Sequence, residues 1–180
     1  MVDKTEQKIM DAALKVFSEN GYKGATTRAI ANESGFNELT LFRRFKNKEN
    51  LFNKVLSQNS EIIREDFVKV FSDTKFDNSE DFIKFLVKNL ARIIDKNYEL
   101  VHLMDREHCD KSKYLKERLV DFLNEYTEKN IGNDKIDYKA FGFTIFALVY
   151  ALIVSKHQKD AFMDQDEVLE GFINNTIMCI

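Results

Sequence analysis

Basic residues concentrate in one short stretch of the chain, between Asn20 and Lys48. This stretch carries six basic residues and two acidic ones, a net charge of +4, whereas the whole 180-residue chain has a net charge of −3. The remaining residues therefore sum to −7. A local cluster of lysine and arginine on an otherwise acidic protein is typical of a surface that binds phosphate groups, which makes nucleic acid a candidate partner.

The apolar pattern places this basic stretch on two short helices joined by a tight turn. The first helix is predicted over 27–34 and ends at Gly35, and the second is predicted over 38–45 with Asn37 as its cap. One apolar face of each helix is expected to point inward: Ile30, Ala31, Leu41 and Phe45. This layout is that of a helix-turn-helix, whose second helix enters the major groove of DNA with its N-terminal residues at the base edges.

The first residues of the second helix carry side chains that suit base contacts. Asn37 and Thr40 can hydrogen-bond to base edges, and Leu39 can touch a thymine methyl group. The same pattern also describes a helical hairpin whose basic face is merely solvated. Spacing by itself leaves these two interpretations open.

The residues at the key positions of this segment resemble one known family. The matching residues are Gly21-Tyr22, Thr26-Thr27, Ile30-Ala31, Gly35, Leu41-Phe42, Phe45 and Lys48-Glu49-Asn50-Leu51. They closely resemble, without gaps, the DNA-binding head of the TetR family of transcriptional repressors over residues 1–55. The rest of the chain resembles that family only in length, helicity and number of helices.

The resemblance implies roles for individual residues. Thr27 would bind a phosphate through its hydroxyl and backbone N–H, and Lys48 would bind another phosphate. Asn37, Glu38 and Thr40 would lie over the bases. The DNA-binding residues expected on this basis are Thr27, Arg28, Asn37, Glu38, Leu39, Thr40, Phe42, Arg43, Arg44 and Lys48.

Three of these residues depart from the family pattern. Phe42 stands in place of a tyrosine that contacts a phosphate, so that hydrogen bond is lost. Arg44 replaces the usual histidine and would strengthen phosphate binding. Leu39 replaces a glycine or another small residue on the helix that faces the groove, which implies an altered target sequence.

Composition and periodicity predict an all-α fold for the whole chain. The sequence has no proline and only 6 glycines, whereas a β-sandwich or barrel needs a turn roughly every 8–12 residues. Seven further helices bring the predicted total to nine: 4–19, 48–71, 79–94, 98–109, 112–129, 135–158 and 165–178. We expect a DNA-binding three-helix domain over 1–47 and a helical effector-binding and dimerisation domain over 48–180.

One segment of the body, Ala140–Ser155, is apolar on every face. A membrane span needs about 20 such residues, so we expect a buried helix and no membrane partner. The resemblance implies a homodimer in which the last two helices pair with those of a second copy, and the alternative is that both helices fill a monomer core. The predicted interface residues are Thr144, Ala147, Ala151, Val154, Phe172, Ile173 and Thr176.

The resemblance also implies that the body encloses a pocket for a small-molecule effector. Aromatic residues make up 12% of the chain, which favours a largely apolar effector. The candidate lining residues are Phe67, Phe71, Phe85, Tyr98, Met104, Phe122, Tyr126 and Phe143. Aromatic residues at helical spacing are more often core, so the sequence leaves open which of them line a pocket.

The sequence contains no clear pattern for a metal site or for an enzyme active site. His102, Asp105, His108 and Cys109 lie close together, but on a helix His108 and Cys109 point about 100° apart. The sequence has no nucleotide-binding glycine loop and no hydrolase or metalloprotease motif. We therefore expect that the protein binds no metal and no cofactor and that it is not an enzyme.

The expected function is a cytoplasmic, ligand-responsive repressor that leaves a palindromic operator when its effector binds. The two cysteines are far apart and the first residues are polar, as in a protein of the reducing cytoplasm. The alternative is a helical protein-interaction adaptor that binds no effector.

Overall fold

The computed structural model describes residues 3–72, 74–107, 110–157 and 164–179. Within these ranges the chain forms nine α-helices and no strand, which confirms the all-α prediction. The helices are α1 (Lys4–Gly24), α2 (Thr27–Ser34), α3 (Glu38–Phe45), α4 (Lys48–Phe71), α5 (Ser79–Lys96), α6 (Tyr98–Glu107), α7 (Asp110–Ile131), α8 (Tyr138–Lys156) and α9 (Gln165–Cys179).

Polar caps and left-handed glycines set several helix ends. The side chain of Asn47 accepts a hydrogen bond from the Asn50 N–H at 2.7 Å and so caps α4. Asp137 accepts in the same way from the Ala140 N–H at 3.0 Å. Because Gly132 leaves α7 at φ +63° and Asp137 caps α8, α8 begins three residues later than predicted.

A break at Gly21 separates the body of α1 from its last turn. Gly21 has φ +70° and ψ 169°, whereas the residues on either side continue as helix to Gly24. The predicted end at Glu19 therefore marks the break rather than the last helical residue. Glycine suits this position because its φ lies where other residues are strained.

The chain divides into two compact units. The first comprises Met1–Glu65 and Glu99–Ser112, and the second comprises Asp66–Tyr98 and Lys113–Ile180. α4 is divided between the two, and α6 belongs almost wholly to the first. The predicted functional division into 1–47 and 48–180 stays a prediction.

Helices α1 to α4 contribute most of the core of the first unit. Its most deeply buried side chains have no exposed surface and come from all four helices: Ile9, Ala13, Phe17, Ile30, Leu41, Leu51 and Val55. The Phe17 and Phe52 rings meet edge to face with their centroids 5.0 Å apart. This core holds α2 and α3 against the longer helices α1 and α4.

Seven aromatic rings form a continuous cluster in the second unit. We call it the aromatic cluster: Phe67, Phe71, Phe76, Phe82, Phe85, Phe122 and Tyr126. Neighbouring ring centroids lie 5.1 to 5.8 Å apart. These are the separations at which aromatic pairs attract each other beyond their burial.

α8 is the most apolar helix of the described residues. By length and composition alone it could cross a membrane, since its mean hydropathy reaches 1.7. Only 28% of that apolar window is buried within the chain, and Phe143 and Ala151 are exposed. α8 therefore leaves part of an apolar surface uncovered by its own chain.

Gly142 allows α8 to lie close to α7. A Cβ atom at this position would lie 2.4 Å from the Asn124 Oδ1 and 3.3 Å from the Leu123 Cβ. We therefore expect Gly142→Ala to lower the free energy of unfolding by roughly 1–3 kcal/mol through overpacking. The measurement is urea unfolding followed by circular dichroism.

Gly171→Ala is the matched control on α9, where an added Cβ would meet no atom within 4 Å of the chain. There the better helix propensity of alanine should raise stability by up to about 1 kcal/mol. Equal effects of the two substitutions would contradict the close packing of α8 on α7.

Candidate nucleic-acid interface

A glycine turn sets the angle between α2 and α3. Gly35 has the left-handed φ of +74°, and the Phe36 N–H donates to the Ala31 carbonyl at 3.0 Å. A Cβ on Gly35 would meet no atom within 4 Å, so glycine is needed here for its backbone conformation rather than for space. The chain is thereby turned directly from the end of α2 into the cap of α3.

The inward and outward faces of the two helices follow the sequence pattern. The four side chains predicted to point inward are at most 3% exposed, which confirms them: Ile30, Ala31, Leu41 and Phe45. Arg28, Arg43 and Arg44 are exposed on the outside. The helix-turn-helix thus presents its basic side chains to solvent while its apolar side chains hold it to the first unit.

Two of the predicted base-reading residues, Asn37 and Thr40, bind each other. The Asn37 Oδ1 accepts hydrogen bonds from the backbone N–H of Thr40 at 2.8 Å and from its hydroxyl at 2.9 Å. The predicted cap of α3 is therefore confirmed. This arrangement directs the carboxamide oxygen to the helix and leaves the NH₂ group of Asn37 as the donor suited to a base edge.

Leu39 and Phe42 present an apolar patch on α3. Leu39 is 68% exposed and Phe42 is 44% exposed. They are three residues apart, so they share one face of the helix. Large apolar side chains in these positions suit contact with a thymine methyl group or with sugar.

Thr27 and Glu38 are joined by a hydrogen bond that the sequence did not indicate. The Thr27 hydroxyl donates to the Glu38 Oε2 at 2.7 Å, and both residues are half-buried. Glu38 is the first residue of α3, whereas Thr27 is the first residue of α2. The contact therefore brings a carboxylate to the N-terminus of α2.

Lys48 holds the last turn of α1 and the connection to α2 in place. Its ammonium group donates to the Tyr22 carbonyl at 2.7 Å and to the Ala25 carbonyl at 3.0 Å, and it lies 4.4 Å from the centre of the Tyr22 ring. Two of its three donors are thus engaged, and one is left for the predicted phosphate contact. Sequence periodicity could not predict these contacts, because the two carbonyls lie more than twenty positions before Lys48.

Arg44 also has a partner within the chain. It forms an ion pair with Asp3, the N-cap of α1. The pKa of the Asp3 carboxyl is lowered, chiefly by the hydrogen bond from the Thr5 N–H and to a smaller extent by the positive charge of Arg44. Since both side chains are largely exposed, this pair remains open to exchange with a DNA phosphate.

The end of α6 contacts the break in α1. The backbone N–H of Tyr22 donates to the Glu107 Oε1 at 2.7 Å, and Arg106 donates to the Glu19 carbonyl at 3.1 Å. Glu107 comes so close that a Cβ on Gly21 would lie 2.9 Å from its Oε1. Glycine therefore suits the break for its backbone conformation, and its missing Cβ leaves room for the Glu107 carboxylate.

The structure distributes the predicted pocket residues over different surroundings. Five belong to the aromatic cluster: Phe67, Phe71, Phe85, Phe122 and Tyr126. Tyr98 stacks on His157 with centroids 3.8 Å apart, Met104 is buried on α6, and Phe143 is 59% exposed. Their role as pocket lining stays a prediction.

A separate cleft of about 530 Å³ lies between α5, α8 and α9. None of the predicted pocket residues lines it. Its charged residues are Lys88, Arg92, Asp95, Lys156, Asp166 and Glu170. Burial raises the pKa of the Asp95 carboxyl, but hydrogen bonds from Lys156 and His157 outweigh it and the pKa is lowered.

The predicted interface residues differ in exposure. Thr144 and Ala151 are exposed, and Ala147, Val154 and Phe172 are half-buried. Ile173 and Thr176, by contrast, are 0% and 8% exposed. These two side chains thus face their own chain, and the predicted interface stays a prediction.

The described residues hold no group of three histidine, cysteine, aspartate or glutamate side chains that could bind a metal ion. Two members of the sequence cluster considered above, His108 and Cys109, lie outside the described residues. His102 and Asp105 lie on α6.

Comparison with known proteins identifies the family. Residues 9–55 match the sequence model of the bacterial regulatory proteins, tetR family. The chain is also 28% identical over 155 residues to the uncharacterized HTH-type transcriptional regulator YvkB of Bacillus subtilis, covering 79% of each protein. Residues 9–55 therefore form a DNA-binding domain of the tetR family, and the chain is similar to HTH-type transcriptional regulators beyond it.

Solved structures of TetR-like regulators share the fold along almost the whole chain. AibR in complex with isovaleryl coenzyme A and operator DNA is similar with a TM-score of 0.74 at 16% identity, over 94% of this chain and 96% of that one. FadR of Bacillus subtilis in complex with stearoyl-CoA is similar with a TM-score of 0.66 at 16% identity, over 93% and 95%. At this level of identity the likeness shows a shared fold, and the assignment of the exposed face of α2 and α3 as the DNA-binding face stays a prediction.

Lys48 should contribute to stability, unlike the exposed arginines of this face. Lys48→Met removes the donor to two backbone carbonyls, so we expect the free energy of unfolding to fall by about 1–3 kcal/mol. Arg28→Met removes the same charge from an exposed position and should change it by less than about 0.5 kcal/mol. Thermal unfolding of both variants tests this, and an equal effect would contradict a structural role for Lys48.

Proposed function

We propose that this TetR-family regulator is a homodimeric repressor that binds a palindromic operator and is released from it by a small, largely apolar effector. The observation that carries the proposal is the outer face of the helix-turn-helix. There the NH₂ group of Asn37, the apolar patch of Leu39 and Phe42, and exposed arginines occur together. Because its proposed partner is DNA, the cytoplasm is the expected location of the protein.

The helix-turn-helix makes two kinds of contact with DNA. Arg28, Arg43 and Arg44 bind phosphates and contribute affinity without sequence preference. Asn37, Leu39 and Thr40 lie at the start of α3 and contact base edges. Glu38 belongs to the same turn, although its carboxylate is engaged by Thr27.

The exposed apolar surface of α8 supports a homodimer. Phe143, Thr144 and Ala151 are exposed on a helix without charge from Ala140 to Ser155. An uncovered apolar helix face of this kind is costly in water and suits a two-fold interface. A dimer reads two half-sites about 34–36 Å apart, one helical turn of DNA.

Ala151→Glu should separate the two copies. The side chain is exposed, so the chain still folds, but a carboxylate would be buried without a partner in the interface. We expect sedimentation to give the 21.1 kDa chain mass instead of twice that value. Ala29→Glu is the matched control, because it adds the same charge on exposed α2 and should retain the dimer.

Retention of the dimer by Ala151→Glu, or dissociation by both variants, would contradict an interface on this face of α8.

Fatty acyl groups are the effector class that the second unit suits best. The aromatic cluster supplies a large apolar region, with Phe67, Phe71 and Phe82 at most 8% exposed. Two regulators of the same fold were solved with acyl-CoA molecules, AibR with isovaleryl coenzyme A and FadR with stearoyl-CoA. An acyl chain would enter by displacing rings of this cluster.

Helix α6 is the proposed link between the effector and the DNA-binding head. It follows α5 and precedes α7 along the chain, while its end holds the α1 break through Glu107 and Arg106. A shift of α6 would release the Tyr22 N–H and alter the support of α2. An effector that favours the shifted state lowers DNA affinity by its preference for that state.

Palmitoyl-CoA is expected to release the protein from its operator duplex, whereas free coenzyme A at the same concentration should not. The measurement is fluorescence anisotropy of a labelled duplex at constant salt. Failure of acyl-CoA molecules of every chain length to release the DNA would contradict an acyl effector. Absence of any salt-sensitive DNA binding, together with a stable protein partner, would favour the adaptor alternative.

A further inference from the structure

Glu38 differs from the other acidic residue of the helix-turn-helix segment in that its carboxylate is bound by a neutral group. The segment from Asn20 to Lys48 has two acidic residues, Glu33 and Glu38. The Glu33 carboxylate is paired with the Lys15 ammonium at 2.7 Å. Among the described residues, no basic group lies within 4 Å of the Glu38 carboxylate, which accepts instead from the neutral hydroxyl of Thr27.

The position of Glu38 explains why a carboxylate is stable there. It is the first residue of α3, and its side chain reaches the first residue of α2, whose first turn contains no acidic residue. The N-termini of both helices carry partial positive charge from their backbone N–H groups. One carboxylate therefore compensates the N-termini of two helices at once.

A DNA phosphate needs the same hydroxyl. Thr27 has one O–H donor, so it can donate either to Glu38 or to a phosphate oxygen. A phosphate beside Thr27 would also lie close to the Glu38 carboxylate, and two like charges at that distance repel each other. Phosphate binding by Thr27 therefore requires Glu38 to move away.

We infer that Glu38 competes with the DNA phosphate for Thr27 and thereby sets the ratio of specific to non-specific DNA binding. On random DNA the carboxylate stays on Thr27 and repels the backbone. On a target site it turns toward the groove and accepts from a base amino group, for which the N4 amino group of cytosine is the fitting donor. This inference rests on the proposed DNA-binding function and adds a specificity-determining residue to it.

Glu38→Gln tests the inference with Glu33→Gln as a matched control. Both substitutions remove one negative charge from the same basic segment, but only Glu38 contacts Thr27. We expect Glu38→Gln to tighten binding to a random duplex roughly tenfold at fixed salt, because a charge-assisted contact replaces a repulsion. Glu33→Gln should change it less than about twofold, since exposed charges farther away are screened.

The salt dependence of binding is the second measurement. Because Glu38→Gln removes a negative charge that opposes phosphate neutralisation, the slope of log affinity against log salt for random DNA should steepen, by at most about 0.9. The selected target duplex should gain less affinity than random DNA, so the specificity ratio falls. A Thr27→Val background removes the shared donor, and there Glu38→Gln should lose most of its effect.

Three results would overturn the inference. Equal effects of Glu38→Gln and Glu33→Gln on random DNA would show that the gain in affinity comes from the change in net charge and not from the contact with Thr27. An undiminished effect of Glu38→Gln in the Thr27→Val background would exclude Thr27 as the shared group. Both results leave the proposed function intact, whereas absence of salt-sensitive DNA binding by the unmodified protein would overturn the proposed function and this inference together.

Discussion

The turn between α2 and α3 is the constraint on which the DNA-binding face depends. Gly35 adopts a left-handed conformation, and two residues later Asn37 caps α3 through its carboxamide oxygen. With so short a connection, the N-termini of α2 and α3 come close enough for Thr27 and Glu38 to bind each other. The buried side chains beneath then hold this geometry against α1 and α4, so one turn determines which groups the exposed face presents.

The two units place different demands on their side chains. The first unit combines a well-buried core with an exposed basic face, and Lys48 stabilises it by binding one carbonyl at the end of α1 and one in the connection to α2. The second unit contains the aromatic cluster and an apolar α8 that its own chain covers only in part. The proposed dimer covers α8, and the proposed effector enters the cluster, so both proposals concern apolar surface rather than charge.

The sequence predicts the fold and the faces of the head well, because periodicity specifies which side of a helix is apolar. Ile30 and Leu41 are buried as expected, and Asn37 caps α3. Periodicity carries no information on the partner of an individual polar group, so the Thr27–Glu38 contact and the carbonyls bound by Lys48 were not foreseen. On α9 periodicity marks an apolar face but does not indicate what covers it, so the burial of Ile173 and Thr176 against their own chain could not be predicted.

Selection of duplexes from a random pool by the full chain tests the central claim most directly. A dimer with one helix-turn-helix in each copy should enrich inverted repeats whose half-site centres lie about 34–36 Å apart, and binding to them should weaken steeply as salt is raised. Enrichment of single, non-repeated sites would contradict the two-fold reading of DNA. Failure to enrich any sequence, with binding insensitive to salt, would contradict the assignment of α2 and α3 as the DNA-binding face.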